Sequence, residues 1–380
     1  TMRKMGDKIV VGELYEGTPA TKAGLKVGDE ILKIDQQELE GKSIDDVSIL
    51  LRGAPNTKVA LLIKRGNAKI ETITIVRETI NISSIPCAAL IGNDQSIAYV
   101  KLTQFTPNCS RQLKQQLDSL KEIKGTLSGL VLDLRNNPGG LLDEAVQICN
   151  LFIPKDQLVV STHGKMKDWD KDFKTLDDPW DTQIPVSVLI NENSASASEI
   201  VSGALQDLDR AVVVGSRSYG KGLVQRPIDL TYGTQIKITI SRYYTPSGRC
   251  IQALDYSHKD KDGKATRTAA ENYNQFKTKN GRPVYDGGGI LPDVVLEETK
   301  TSPVAEALQK NDGIFNFVTA YYYKNPNLGT TIPTITEADF SAFKAFLKKE
   351  KFSFNTETEL ALKKTLAVAK KEKLDASIAV

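Results

Sequence analysis

Ser196 and Lys221 are the two side chains whose type and setting can do chemistry together. Ser196 lies in Asn193-Ser-Ala-Ser-Ala-Ser-Glu-Ile200, between the apolar run Pro185 to Ile190 and the run Ile200 to Leu205. The first run reads as a buried strand and the second as the helix that follows it, so Ser196 is expected on a strand-to-helix turn, where free backbone amides gather. A serine hydroxyl is a weak nucleophile until a neighbouring base removes its proton. His163 and His258 both sit in charged, polar stretches and lack the element-end context that a rigid Ser-His-Asp triad needs.

Lysine is the other base. At its ordinary pKa near 10.4 only about one amine in 2,500 is neutral at pH 7. Working as a general base asks for a depression of roughly 3 units, about 4 kcal/mol against the charged form, and desolvation supplies shifts of that size. Lys221 lies between Gly220 and Gly222, which let backbone pack closely, with Tyr219, Leu223 and Val224 expected to exclude water. Gln225, four residues on, orients the amine without adding a negative charge. Acyl transfer also needs donors where the oxyanion develops. The amide of Ala197 at the helix start is one; the turn Asn137-Pro-Gly139-Gly140 offers a second, and Gly139 and Gly140 both stand as candidates. Ser194 and Ser198 read as helix-start caps.

These residues need a scaffold. With 380 residues the chain exceeds one ordinary core. Residues 1–80 are short-stranded, with a helix presenting Ile44, Val47, Leu50 and Leu51. Residues 81–300 alternate strands and helices, which argues for an α/β core with parallel strands. The charged insertion 165–181 reads as a surface loop or lid. Residues 301–380 are helical and lysine-rich: Thr336 to Asp339 resembles a capping box, Phe340, Phe343, Phe346 and Leu347 form one apolar stripe, and Leu360, Leu362, Leu366 and Val368 repeat it as core.

Composition narrows the function classes. A net charge of +3, from 50 basic and 47 acidic residues, gives no field of the kind nucleic acid requires. No stretch approaches the roughly 20 apolar residues of a membrane span, and no leader precedes Thr1, so any targeting segment is expected to have been removed or left out. Cys87, Cys109, Cys149 and Cys250 are too scattered for zinc; isolated buried thiols are the plainer reading, with disulfide pairings open. Gly215 to Lys221 fits G-x-x-x-x-G-K, but Gly222 stands where a phosphate-binding loop has Ser or Thr, and β-prone residues follow.

The run GTPATKAGLKVGDEILKID resembles PDZ domains, which implies capture of an extended chain end beside the helix of Ile44, Val47 and Leu51. The carboxylate-binding loop of such a domain is expected at or before Thr1. With DLRNNPGGLLDEAV, SASASEIVSGALQD, VVGSRSYGKGLVQ, YYTPSGRCIQ and GGGILPDV in the family's order, the chain resembles the C-terminal processing, or tail-specific, proteases. That resemblance implies a PDZ domain ahead of a Ser-Lys peptidase, with Ser196 as nucleophile, Lys221 as base and Gln225 as third member. It further implies protein or peptide substrates with apolar C-terminal tails, no metal or organic cofactor, a bacterial extracytoplasmic setting, periplasmic or envelope-associated, and a homo-oligomer or adaptor controlling access. Asp207 matches an aspartate discussed as functional in some members, although a helix-end polar residue is its simpler reading. The rival from another class is a catalytically inactive PDZ peptide-binding scaffold.

Overall fold

The computed structural model describes residues 1–66, 69–80, 82–296, 301–325, 328 and 334–372. It divides into two compact units, one of Thr1–Ile82 with Thr299–Val380 and one of Ser83–Glu298.

In the first unit, strands β1 (Met2–Met5), β2 (Lys8–Val11), β3 (Glu30–Ile34), β5 (Lys58–Arg65) and β6 (Lys69–Val76) form an antiparallel sheet in the order β1-β2-β3-β5-β6, with β4 (Gln37–Glu38) paired to β3. The short helix α1 (Pro19–Lys22) and helix α2 (Ile44–Leu51) complete the fold. A capping box opens α2: Ser43 N–H donates to Asp46 Oδ2 at 2.9 Å and Asp46 N–H to Ser43 Oγ at 3.2 Å. Val47, 0% exposed, buries the inner face of α2 against Ile9, Ile31, Leu61 and Ile63. It therefore supports the domain from inside and cannot line a peptide groove, whereas Ile44 and Leu51 remain half-buried at the margin.

The second unit is built on the sheet formed by β7 (Cys87–Ile91), β8 (Ile97–Lys101), β9 (Gly129–Asp133), β12 (Val186–Ile190), β13 (Ala211–Gly215) and a final strand Val294–Val295. From β8 to the last strand every pairing is parallel; β7 pairs antiparallel to β8. Helices α3 (Cys109–Lys124), α4 (Leu142–Asn150) and α5 (Ala197–Asp207) provide the crossovers. Leu113, Leu117 and Leu120 recur at helical spacing on the buried face of α3. All eleven residues of α5 are buried, so its polar members must find partners inside the protein.

A second sheet runs β11-β10-β15-β14, from β10 (Leu158–Gly164), β11 (Lys171–Lys174), β14 (Leu223–Asp229) and β15 (Gln235–Tyr244). The charged insertion thus includes a strand, β11, that pairs antiparallel with β10 just ahead of it. Trp180 is anchored as well: its Nε1–H donates to Asp118 at 2.7 Å, and its ring meets Phe152 edge-on. The sequence pattern misses this order because it comes from cross-strand pairing, which leaves little mark on a charged segment.

Helices α6 (Pro303–Lys310), α7 (Gly313–Lys324), α8 (Glu337–Lys349) and α9 (Glu357–Lys371) fold with the first unit. Helix α7 docks on the sheet: Tyr323 Oη donates to Val27 O at 2.9 Å, Arg3 pairs with Asp312 at 3.2 Å, and Thr319 Cγ2 fills the space that a side chain at Gly28 would need. The Thr336–Asp339 capping box forms, and Phe317 gathers Phe343 and Phe346. The second stripe is different. Leu360, Leu362, Leu366 and Val368 are exposed among the described residues, because spacing along a helix sets a face but not what packs over it.

Candidate active site

Ser196 occupies the junction between β12 and α5 with φ 54° and ψ −113°. This is positive-φ backbone on a residue with a side chain, a conformation that costs about 1–3 kcal/mol and persists only where the surroundings over-determine it. They do so here. Ser194 Oγ donates to Leu134 O at 2.8 Å, Ala195 N–H to Asn137 O at 3.0 Å, and Ser198 Oγ to the same Asn137 O at 2.9 Å. Ser194 and Ser198 are therefore not caps. They stitch the serine turn to the turn that carries Gly139 and Gly140.

That second turn needs its glycines. Gly139 has φ +102°, and a Cβ there would lie 2.8 Å from Ser196 Cβ and 3.0 Å from Ala197 N. Gly140 has φ +148° and its Cβ would strike Phe105 O at 2.2 Å. Asn137 holds the turn, its Nδ2 donating to Leu102 O and its Oδ1 accepting Gly139 N–H, both at 2.9 Å. Among the described residues neither Ala197 N–H nor Gly140 N–H has an acceptor, whereas Gly139 N–H is spent on Asn137.

The lysine segment follows β13. The hydrogen bond from Tyr219 N–H to Ser194 O at 3.0 Å ties it to the serine turn, and Gly220 and Gly222 press against Ala253 and Gln252 with no room for a Cβ. Strand β14 then begins at Leu223, so Gly215 to Lys221 lacks the helix on which a phosphate-binding loop ends. The expected shielding of Lys221 is absent among the described residues. Its side chain is exposed, Tyr219 is 43% exposed, and Leu223 and Val224 are only half-buried, because one edge strand covers only one side of a neighbouring residue. Gln225, also exposed, follows a register shift between Val224 and Gln225. No hydrogen bond joins it to Lys221 among the described residues.

The residue that sequence reading passed over is Glu199. Its carboxylate is 0% exposed and accepts four hydrogen bonds: Ser218 Oγ at 2.6 Å and Gly220 N–H at 2.7 Å on Oε1, Ser196 N–H and Lys221 N–H, each at 2.8 Å, on Oε2. Burial pushes this carboxyl above the ordinary range, and the four donors pull the other way. The signal was present as Ser196-x-x-Glu199, a capping-box spacing.

The remaining candidates lie apart from this cluster. His163, on β10, faces Asp170 at 3.1 Å, and His258 faces Asp255 at 2.6 Å; both rings are exposed. Asp207 ends α5 and forms a buried pair with Arg249 at 2.8 Å while accepting Thr245 Oγ1 and Ser247 N–H. All four thiols are free; Cys109 and Cys149 are buried and Cys87 is exposed. No group of three or more metal-ligating side chains and no helix long and apolar enough to cross a membrane occurs among the described residues.

Comparison with known proteins adds an independent line. Models of the PDZ domain match residues 10–65, of Peptidase family S41 residues 96–257, and of the "Probable PDZ-protease, C-terminal helical domain" residues 304–380. A "Probable CtpA-like serine protease" of Staphylococcus aureus (strain bovine RF122 / ET3-1) is 33% identical over 360 residues, 94% of this chain, which spans 66% of that relative's length. The "Carboxyl-terminal-processing protease" of Synechocystis sp. is 37% identical over 244 residues, 63% of this chain and 55% of the relative. The solved photosystem II D1 C-terminal processing protease superposes with a TM-score of 0.44 at 27% identity, over 78% of this chain and 71% of that one. With these three regions in this order and relatives of this kind along its length, the chain belongs to the C-terminal processing protease family.

Proposed function

We propose that the protein is a serine endopeptidase that cuts through an acyl-enzyme on Ser196. The observation that carries this reading is the strained Ser196 at the head of a wholly buried helix, with the unpaired amide of Ala197 packed against the Gly139–Gly140 turn. Ser196 Oγ attacks the scissile carbonyl carbon while its proton passes to Lys221 Nζ. The amides of Ala197 and Gly140 receive the oxyanion. Collapse of the tetrahedral intermediate breaks the C–N bond, the lysine returns its proton to the leaving amine, and water then hydrolyses the ester by the same route. Because Lys221 is exposed, the bound substrate would complete its surroundings, its backbone displacing water from the β14 edge.

The PDZ domain would supply the tail recognition. The free edge of β1 beside α2, with Met2, Ile44 and Leu51 half-buried, suits addition of an extended peptide ending in apolar residues. An extracytoplasmic setting and a partner or second copy controlling access fit the same reading.

The test compares a peptide ending in a free apolar carboxyl terminus with its amidated form. The free form is expected to be cleaved faster, and Ser196→Ala and Lys221→Ala, both folded, are expected to abolish turnover. Binding of the free-tailed peptide without cleavage by the wild-type protein would leave the inactive scaffold standing instead.

A further inference from the structure

We propose that Glu199 is a positioning residue that sets the register between the nucleophile and the base; this rests on the Ser-Lys reading. The two backbone nitrogens that carry Ser196 and Lys221 donate to one and the same oxygen, Oε2, each at 2.8 Å. They therefore lie no more than twice that distance apart, although they stand 25 positions apart in the chain. The second oxygen fixes Ser218 and Gly220, so the segment entering Lys221 is held at three successive points.

Burying a carboxylate is expensive, and an apolar residue would fill this space at lower cost. No cation pairs with it among the described residues; its charge is met by hydrogen-bond donors and by the N-terminal end of α5, on whose first turn it sits. What an apolar residue cannot do is accept from two chain segments at once. The carboxylate converts a loose adjacency into a fixed one, while the lysine side chain beyond its Cα stays exposed and free to adapt. Geometry of this kind acts on rate: misplacement by about 1 Å can cost about 100-fold.

Glu199→Gln tests this. The amide keeps the volume but turns one acceptor into a donor, so either Ser196 and Lys221 or Ser218 and Gly220 lose their shared partner. With a free-tailed peptide substrate, the expected result is kcat lower by about 100-fold per titrated active site with KM within about three-fold of wild type. A purely structural role would instead lower the melting temperature and the fraction of protein that a serine-directed phosphonate titrates, leaving kcat per active site near wild type, and that outcome overturns the inference. Should E199Q fail to fold, Ser218→Ala, which withdraws one donor from Oε1, carries the test: kcat about five-fold lower at unchanged KM is expected, and wild-type kcat overturns it. Ser196→Ala runs alongside. If S196A still turns over, the peptidase reading has failed; if S196A is inactive while folded E199Q is fully active, only the role of Glu199 has failed.

Discussion

The serine turn and the lysine strand are built to opposite standards. Ser194, Ala195, Ala197, Ser198 and Glu199 are all buried, and the turn is bonded to the Asn137 turn through side chains as well as backbone. The lysine strand is fastened at its root by Glu199 and by the glycine contacts with Ala253 and Gln252, yet beyond that root Lys221 and Gln225 face solvent. A nucleophile in strained backbone needs rigid walls, since a relaxed turn would give up the geometry. A base that must lose water on substrate arrival tolerates exposure, because the substrate completes its surroundings.

If this contrast is correct, substitutions in the serine turn should cost stability and activity together, and those in the lysine strand activity alone. The largest effect is expected from Lys221→Ala: kcat lower by about 1,000-fold or more, with unfolding free energy unchanged within about 0.5 kcal/mol, read by peptide hydrolysis and denaturant titration. A large loss of stability in K221A would break the contrast. Gly139→Ala comes next, since its methyl group would meet Ser196 and Ala197; about 2–4 kcal/mol of stability should go, with turnover falling at least about 100-fold. Ser198→Ala leaves Asn137 O with one donor fewer and should destabilise by about 1–2 kcal/mol, activity dropping several-fold.

A pH arm sharpens the same comparison. Burial pushes the Asp133 carboxyl up, but the bonds from Arg135 and Tyr99 outweigh it, and the net result is a carboxyl held below its ordinary range. Such a group stabilises the fold above the ordinary carboxylate pKa near 4, and that contribution is lost as pH falls through the folded value. The stability gap between wild type and Asp133→Asn should therefore narrow between pH 6 and pH 3; a constant gap would discount the charge. The smallest effect is expected from Gln225→Ala, about ten-fold or less in kcat with stability unchanged.

Local pattern carried far in this chain. Val186 to Ile190 read as a buried strand because every residue but Ser187 is apolar, α2 showed in Ile44, Val47, Leu50 and Leu51 on one helical face, and Gly220 and Gly222 marked backbone packed closely around Lys221. Ser196 was found for the same reason, as the serine at a strand-to-helix junction. The roles of Ser194 and Ser198 were not legible, because a hydroxyl beside a helix start can cap it or reach across, and only the position of the Asn137 turn decides. Nor was the exposure of Lys221, which depends on what packs over an edge strand, or the exposed stripe of α9, which depends on whether a partner exists.

The sequence by itself determined most of the elements and the residue types able to do acyl transfer, since periodicity, glycine placement and capping are properties of neighbours along the chain. Tertiary structure alone decided that one buried carboxylate would join Ser196 to Lys221, because hydrogen bonds between segments 25 residues apart exist only once folding has brought their backbone nitrogens to the same oxygen atom.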